Sequence, residues 1–298
     1  MISRPRLPSS EKILPYLKRI DESRHYTNFG ALNVEYQERL AELFGAPCVT
    51  GSSATSLITA TLMAYDLPKE SLVAVPSWTF PATAAAVVSA GLTPYFMDVD
   101  ENGVMCIKNQ SKGMFSAIVM VAPFGRLLIG ENNSFIPVII DAAAGFDTFS
   151  TYGNPSKTPV IISTHATKSF STGEGGFITC SNNELLEKVR RITNFGFAPD
   201  RTIEHTGLNA KLSEYHAAIG LASLDEWPEK RNLLLEKTKE YGFDYAVTQI
   251  PVKIADYPHA KMGVYGCHVH KAYFNYPRAK LPMTESLIAN IGTVMVNI

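Results

Sequence analysis

The amino-acid sequence predicts an α/β protein built on a mostly parallel sheet. Two patterns carry that expectation. Short, almost wholly apolar runs recur at 71–75, 93–99, 117–121 and 137–141, and a helix-length stretch at 81–90 separates the first two. Strands buried on both faces read as continuous apolar runs of this kind rather than as alternating ones. The composition agrees. Of the 298 residues, 46% are hydrophobic and 18% charged, which is enough for one large core with or without a smaller one.

Ahead of the sheet, residues 10–22 set Ile13, Leu14, Leu17 and Ile20 at helical spacing, with Ser10 as a candidate N-cap. Tyr26–Leu32 is turn-rich, and 33–44 reads as an amphipathic helix carrying Tyr36, Leu40 and Leu43. A first strand leads into Gly51–Ser56, and an apolar helix runs from there to about Tyr65. Two more strands flank the polar stretch Ser163–Gly176, the first of them within 158–162. Helices dominate from 183 to about 240, with Asn209–Leu224 strongly amphipathic. Beyond 245, β-like stretches are expected at 246–252 and 263–274, and a helix at 283–291. No repeat or low-complexity tract interrupts the chain.

A formal net charge of −1 argues against electrostatic recognition of nucleic acid or of an acidic membrane. Cys48, Cys106, Cys180 and Cys267 are widely spaced without a CxxC, which favours reduced thiols over a disulfide framework. The start lacks an apolar signal core and no run has the length of a membrane span, so a soluble cytoplasmic protein is expected. Cys267, His268 and His270 invite a metal reading. In a strand, however, 268 and 270 share a face while 267 points away, and no second ligand cluster stands out. No metal site is expected.

The candidate chemistry centres on Ser163–Gly176, whose one lysine, Lys168, sits among small and hydroxyl-bearing residues. Burial lowers a lysine's pKa towards the neutral amine, the form that makes a Schiff base with an aldehyde. The same stretch is equally a polar turn around a solvated lysine. Gly51–Ser56 stands where a strand hands over to a helix, whose first N–H groups and dipole suit a phosphate. A simple N-cap by Ser52 or Ser53 is the other reading. Asp141 ends an apolar strand where α/β ligands bind, and either holds a protonated heterocyclic nitrogen or caps the turn at 142–145. Trp78 either stacks on a flat ring or packs in the core. Together, a phosphate cradle, an aromatic platform, a carboxylate and a lysine are the parts needed to hold pyridoxal phosphate.

Their order also matches a known family. TyrThrAsnPheGly at 26–30, SerSerAlaThrSerLeu at 52–57, ProSerTrpThrPheProAlaThr at 76–83 and ProTyrPheMetAspVal at 94–99 carry the likeness. So do AspAlaAlaAla at 141–144, SerThrHisAlaThrLys at 163–168 with ThrGlyGluGlyGly at 172–176, GlyLeuAsnAlaLysLeuSerGlu at 207–214 and AlaAlaIleGlyLeu at 217–221. Over about residues 5–240 the chain resembles the DegT/DnrJ/EryC1/StrS sugar aminotransferases. The Ser-x-His-x-x-Lys with its glycine-rich follow-on is the specific part.

The resemblance implies a three-layer α/β/α pyridoxal-phosphate-dependent transferase fold of type I. It divides the chain into an N-terminal segment plus large cofactor-binding domain, 1–225, and a small, shortened C-terminal α+β domain, 226–298. By the same resemblance, Lys168 carries pyridoxal 5′-phosphate as an internal aldimine and moves the proton. Asp141 pairs with the pyridine nitrogen and Trp78 stacks on the ring. The backbone N–H groups of Ser53 and Ala54, with the Ser163 hydroxyl, hold the phosphate. Asn209 reaches the phosphate of a neighbouring subunit, which implies a homodimer with shared active sites. His165 and Glu174 are assigned only support of the loop.

The implied reaction takes an amino group from L-glutamate, leaving pyridoxamine phosphate. It then passes the amine to a nucleotide-linked 4-keto- or 3-keto-6-deoxy hexose, for lipopolysaccharide or glycoside biosynthesis. Lys168 separates the chain from the family's dehydratase branch, where a histidine stands instead. Three departures are visible. Ala144 replaces a Gln or His that contacts the ring oxygen. Ser53-Ala54 replaces a frequent Gly-Thr. The C-terminal part is short, with 266–274 resembling a strand that often carries Arg where His270 stands, and the connection from 121 to 137 looks abbreviated. The short end keeps open a cofactor-binding scaffold or regulator with little turnover. An aminotransferase for a non-sugar or cyclitol ketone is a third reading.

Overall fold

The computed structural model describes residues 5–105, 113–128, 136–153, 156–263 and 265–298. Cys106 and part of the connection between residues 121 and 137 lie outside them. Helices α1 (Ser10–Ser23) and α2 (Ala31–Phe44) precede β1 (Cys48–Gly51), α3 (Ala54–Ala64), β2 (Leu72–Pro76), α4 (Pro81–Ser89) and β3 (Thr93–Met97). Then come β4 (Ala117–Val121), β5 (Val138–Asp141), α5 (Phe146–Tyr152), β6 (Val160–Ser163) and β7 (Gly176–Thr179). The sheet order is β1-β7-β6-β5-β4-β2-β3. Every pairing from β3 through β6 is parallel, and β7 runs antiparallel to both β6 and β1. The expected mostly parallel sheet is therefore present, with one reversed strand that apolar runs alone do not reveal.

Two helical layers cover the sheet. On one face α3 packs between α4 and α6 (Asn183–Thr193), burying Leu57, Ile58, Leu62, Val87 and Val189. On the other, α1 and α2 pack on α7 (Glu214–Lys239) around Tyr36, Leu40, Leu221 and a group of aromatic rings. Phe146 stacks on Phe170 with ring centroids 3.9 Å apart, and Trp227 meets Phe146 edge-on at 4.8 Å. Phe170 lies two residues beyond Lys168, so this cluster anchors the loop that carries the lysine.

The starts of α2 and α7 differ from the sequence expectation, each because of the groups that meet its first turn. Glu214 is buried, and its carboxylate accepts hydrogen bonds from the N–H groups of Leu32 (2.8 Å) and Asn33 (3.1 Å). An anion there satisfies free donors at the positive end of α2, which begins at Ala31 rather than 33. The expected helix over 209–224 begins only at Glu214, because Ser213 caps it by accepting from His216 N (3.3 Å). Ala210 is meanwhile tied into other backbone, donating to Thr193 O (2.9 Å) and accepting from Ser52 N (2.7 Å). Ser9, extended and without a side-chain cap bond, takes the N-cap place proposed for Ser10. Helix α7 runs to Lys239 through Pro228, so residues 225 and 226 are both inside it.

Beyond α7 a small antiparallel sheet forms from β8 (Gln249–Lys253), β9 (Lys261–Met262) and β10 (Ile291–Met295), in the order β8-β10-β9, with α8 at Pro282–Asn290. The strand expected over 263–274 does not form among the described residues. Gly266 stands at φ +92° and Cys267–Val269 form a single 3-10 turn. The Cys267 N–H donates to Ser77 O (2.8 Å) instead of to a ladder. Because this segment is no strand, the shared-face geometry considered for His268 and His270 does not apply. No group of three or more potential metal ligands occurs among the described residues.

Asp147 ties these parts together. Its carboxylate, 1% exposed, pairs with the Arg231 guanidinium of α7 and accepts from Ala246 N (2.7 Å), just before β8. Arg231 is partly exposed, which discounts the ion pair; the greater loss on removal is a buried N–H without an acceptor. Asp147→Ala is expected to cost about 2–3 kcal/mol of stability. Denaturant unfolding checks this, and a change within about 0.5 kcal/mol would contradict it.

Candidate active site

The site lies at the C-terminal ends of the parallel strands. Asp141 ends β5 and Ser163 ends β6. Gly176, opening β7, pairs with Ser163 on one side and with Gly51 on the other. That register sets the Gly51–Ser56 turn and Ser163 side by side across one glycine. A Cβ on Gly176 would stand 2.8 Å from Ala54 N and 3.1 Å from the Ser53 carbonyl carbon, so a side chain there would crowd the N-terminus of α3.

The lysine loop is held by its own ladder. Thr164 N donates to Gly175 O (3.0 Å), Ala166 N to Gly173 O (2.7 Å) and Thr172 N to Thr164 O (2.8 Å). His165 Nδ1 lies 2.8 Å from the Thr167 hydroxyl, and its Nε2 is 3.6 Å from Glu174 Oε1. These two motif residues brace the loop and do not line the cleft. Lys168 does, at the far end of the loop.

The cleft, about 90 Å³, brings Lys168, Asp141 and Trp78 together, with Ala143, Thr248 and Tyr265 among its other walls. Asp141 is 6% exposed; it accepts from the Thr83 hydroxyl (2.7 Å) and from Ala143 N (3.2 Å). Burial raises its pKa, and these two donors and the Lys168 charge pull against that rise. Lys168 is half-buried, and its pKa is lowered by burial against the pull of Asp141. Both shifts are what burial does to a charged acid and a charged base, and each group's charge offsets part of the other's. Trp78 is 4% exposed, with Gly103 against one part of its indole and the Tyr265 ring 5.2 Å away. It is at once a cleft wall and a packed residue.

The remaining predicted residues lie outside that cleft. Ser53 caps α3 through a reciprocal pair with Ser56: its hydroxyl accepts from Ser56 N (3.1 Å), and its own N–H donates to the Ser56 hydroxyl (3.2 Å). The N-cap reading is thus realised. The N–H groups of Ala54 and Thr55, next along, have no acceptor among the described residues and stay open at the α3 terminus. The Ser163 hydroxyl accepts a long bond from His165 N (3.3 Å). Asn209 is exposed, with its side-chain oxygen taken by the Lys211 ammonium (2.8 Å). Ala144 lines the cleft but offers only a methyl. Thr83, Thr248 and Tyr265 were given no role by sequence; Thr83 stood inside a matched motif, and the other two carry no local signal.

The pKa directions give a prediction independent of any ligand. Acetic anhydride attacks neutral amines, so acetylation of Lys168 should rise with pH at a midpoint below that of a free lysine. Asp141→Asn removes the charge that holds this pKa up, so the midpoint should move lower still. Acetylation of the Lys168-bearing peptide, followed by mass across pH, checks both; a midpoint at the free-lysine value, or an upward shift in the variant, would contradict the coupling.

Comparison with known proteins gives a consistent result. Residues 9–241 match the sequence profile of the DegT/DnrJ/EryC1/StrS aminotransferase family. Over 238 residues the chain is 32% identical to the dTDP-4-amino-4,6-dideoxy-D-glucose transaminase of Shigella dysenteriae, a match covering 75% of this chain and 64% of that protein. It thus spans a little under two thirds of that relative's length. Among solved structures, a Bacillus cereus protein described as a PLP-dependent aminotransferase superposes with a TM-score of 0.90 at 27% identity, covering 99% of this chain and 94% of that one. DesI, solved in the presence of its TDP-sugar product, gives 0.82 at 26% identity, covering 99% and 87%.

Proposed function

The chain belongs to the DegT/DnrJ/EryC1/StrS aminotransferase family, whose cofactor is pyridoxal 5′-phosphate, and from that premise we propose that it transfers an amino group to a nucleotide-linked keto-sugar. One observation carries the reading: a half-buried lysine, a buried carboxylate and an indole share a single cleft. The residues fit the cofactor. Ala54 N stands open at the α3 terminus beside Ser163, and Asp141 ends the strand next to β6, so an anion donor and a carboxylate lie a few strand spacings apart.

When bound, the cofactor supplies an aromatic ring that accepts electrons from the substrate carbon. Lys168 Nζ, whose pKa burial lowers, would hold the cofactor's aldehyde and, as a free amine, would carry the proton to and from the substrate carbon. Asp141 would keep the ring nitrogen protonated through a charge-assisted hydrogen bond, and Thr83 and Ala143 N–H aim that carboxylate. Trp78 supplies the stacking face. Ala54 N–H and the Ser163 hydroxyl would meet the phosphate; the Ser53 N–H is taken by the Ser56 hydroxyl, so Ser53 would act through its cap alone. Asn209, exposed and outside the cleft, serves the site of a second copy in a homodimer. With no donor at Ala144, ring orientation rests on Trp78 and Asp141.

L-Glutamate is the proposed donor, with pyridoxamine phosphate as the intermediate carrier. A 4-keto- or 3-keto-6-deoxy hexose on a nucleotide is the proposed acceptor, in the making of lipopolysaccharide or a glycoside. The dTDP-sugar transaminase relative supports that class. The large part, 1–225, and the small part, 226–298, are read as cofactor-binding and substrate-covering. A cytoplasmic setting suits this chemistry; no described helix is long and apolar enough to cross a membrane.

The test uses the cofactor-loaded protein. L-Glutamate should bleach the cofactor absorbance band and release 2-oxoglutarate, and a dTDP-keto-hexose should then gain an amine, read by mass. A Lys168-dependent band that glutamate and the keto-sugar leave unchanged would instead favour binding without turnover.

A further inference from the structure

Tyr265 lies in a part of the chain that the reaction scheme does not use. Its ring is 5.2 Å from Trp78 at an interplanar angle of 35°, and it meets Phe124 edge-on at 5.3 Å. The phenol donates to Gln249 Oε1 (3.3 Å), and Gln249 Nε2 donates to the Thr293 hydroxyl (3.1 Å), which ties the ring to β8 and β10. Burial pushes the phenol up to about 12, so it remains a neutral donor at ordinary pH.

The chain just beyond Tyr265 is strapped to both neighbours of Trp78. Cys267 N donates to Ser77 O (2.8 Å), and the Ser77 hydroxyl is 2.6 Å from His268 Nδ1. At the residue after Trp78, the Cys267 thiol approaches Thr79 O (3.5 Å). Gly266 makes the connection at φ +92°, where a Cβ would stand 2.3 Å from Ile288 Cδ1. A Cβ on Gly103 would lie 2.8 Å from the indole Cδ1. The indole therefore contacts the Tyr265 ring and lies close to Gly103.

We propose that Tyr265 is a positioning residue, its ring fixing the plane of the Trp78 indole so that this platform is set before the cofactor arrives. The assignment rests on the reading of Trp78 as the stacking face. It also explains how ring orientation survives a methyl at Ala144: the missing hydrogen bond is offset by a clamped aromatic wall. The ring contact favours one tilt of the indole over another.

The test compares the wild type with Tyr265→Ala and Tyr265→Phe by two measurements. The first is near-ultraviolet circular dichroism of the cofactor-free chain, with the Trp78 signal taken as the difference from each protein's Trp78→Phe counterpart. The second is circular dichroism of the visible cofactor band, with the cofactor Kd from spectral titration. Tyr265→Ala should lose most of both signals and bind pyridoxal phosphate about tenfold more weakly, while Tyr265→Phe should stay within about twofold of wild type. Wild-type signals and Kd in the alanine variant would overturn the proposal.

Should that variant fail to fold, Ser77→Ala, which keeps the ring and cuts the tie to His268, should lose part of both signals; no loss would count equally against the strap. A wild type without a Lys168-dependent band would defeat the functional reading instead. The cofactor-free Trp78 signal would still decide what Tyr265 does.

Discussion

Lys168→Ala is expected to remove the cofactor absorbance band and lower amine transfer by at least about 10⁴-fold, with folding unchanged. The amine has two tasks, as attachment point and as proton carrier, and a methyl can do neither. Folding should survive because, among the described residues, no side-chain hydrogen bond of Lys168 supports the loop. The ladder between 164–166 and 172–175, and Phe170 in the aromatic core, do so. Lys168→Arg separates charge from nucleophilicity: a guanidinium keeps the positive charge facing Asp141 but is never neutral in water. It should fail as completely as alanine. Absorbance titration with pyridoxal phosphate and a denaturation midpoint check both variants, and a wild-type band in either would contradict the role.

Asp141→Asn should slow transamination by about 10²–10³-fold while leaving the fold intact. The substitution is nearly isosteric, and its carbonyl oxygen can still accept from Thr83 or from Ala143 N. What it loses is the negative charge that keeps a ring nitrogen protonated. Stability should not fall, because the native carboxylate already carries a desolvation penalty that raises its pKa. Thr83→Val should shift the rate in the same direction by less, since it removes an aiming hydrogen bond and not the charge. Single-turnover rates with L-glutamate, set beside denaturation curves, measure both effects; wild-type rates in Asp141→Asn would contradict the assignment.

The parts legible in the sequence are those whose cause is local. ValIleIleAsp over 138–141 is a strand because it is apolar on both faces, and Asp141 falls at its end because polarity ends the run. The spacing from Ser163 to Gly176 placed one lysine in a tight loop between two strands. The rest depends on contacts that no window contains. The reversed direction of β7 is set by its pairing with both β1 and β6. Asn209–Ser213 has helical periodicity but is drawn into extended backbone by Ser52 and Thr193. Residues 263–274 are apolar enough for a strand, yet Ser77 and Thr79 claim the polar groups of Cys267 and His268. Thr83, Glu214 and Tyr265 each act on a residue more than fifty positions away, so their roles are visible only after folding.

Borohydride reduction of the cofactor-loaded protein, followed by peptide mass mapping, examines the covalent claim at the root of all this. A reduced pyridoxyl group on the peptide bearing Lys168, absent from Lys168→Ala, is the predicted result. The same mass on another lysine, or on none, would contradict it.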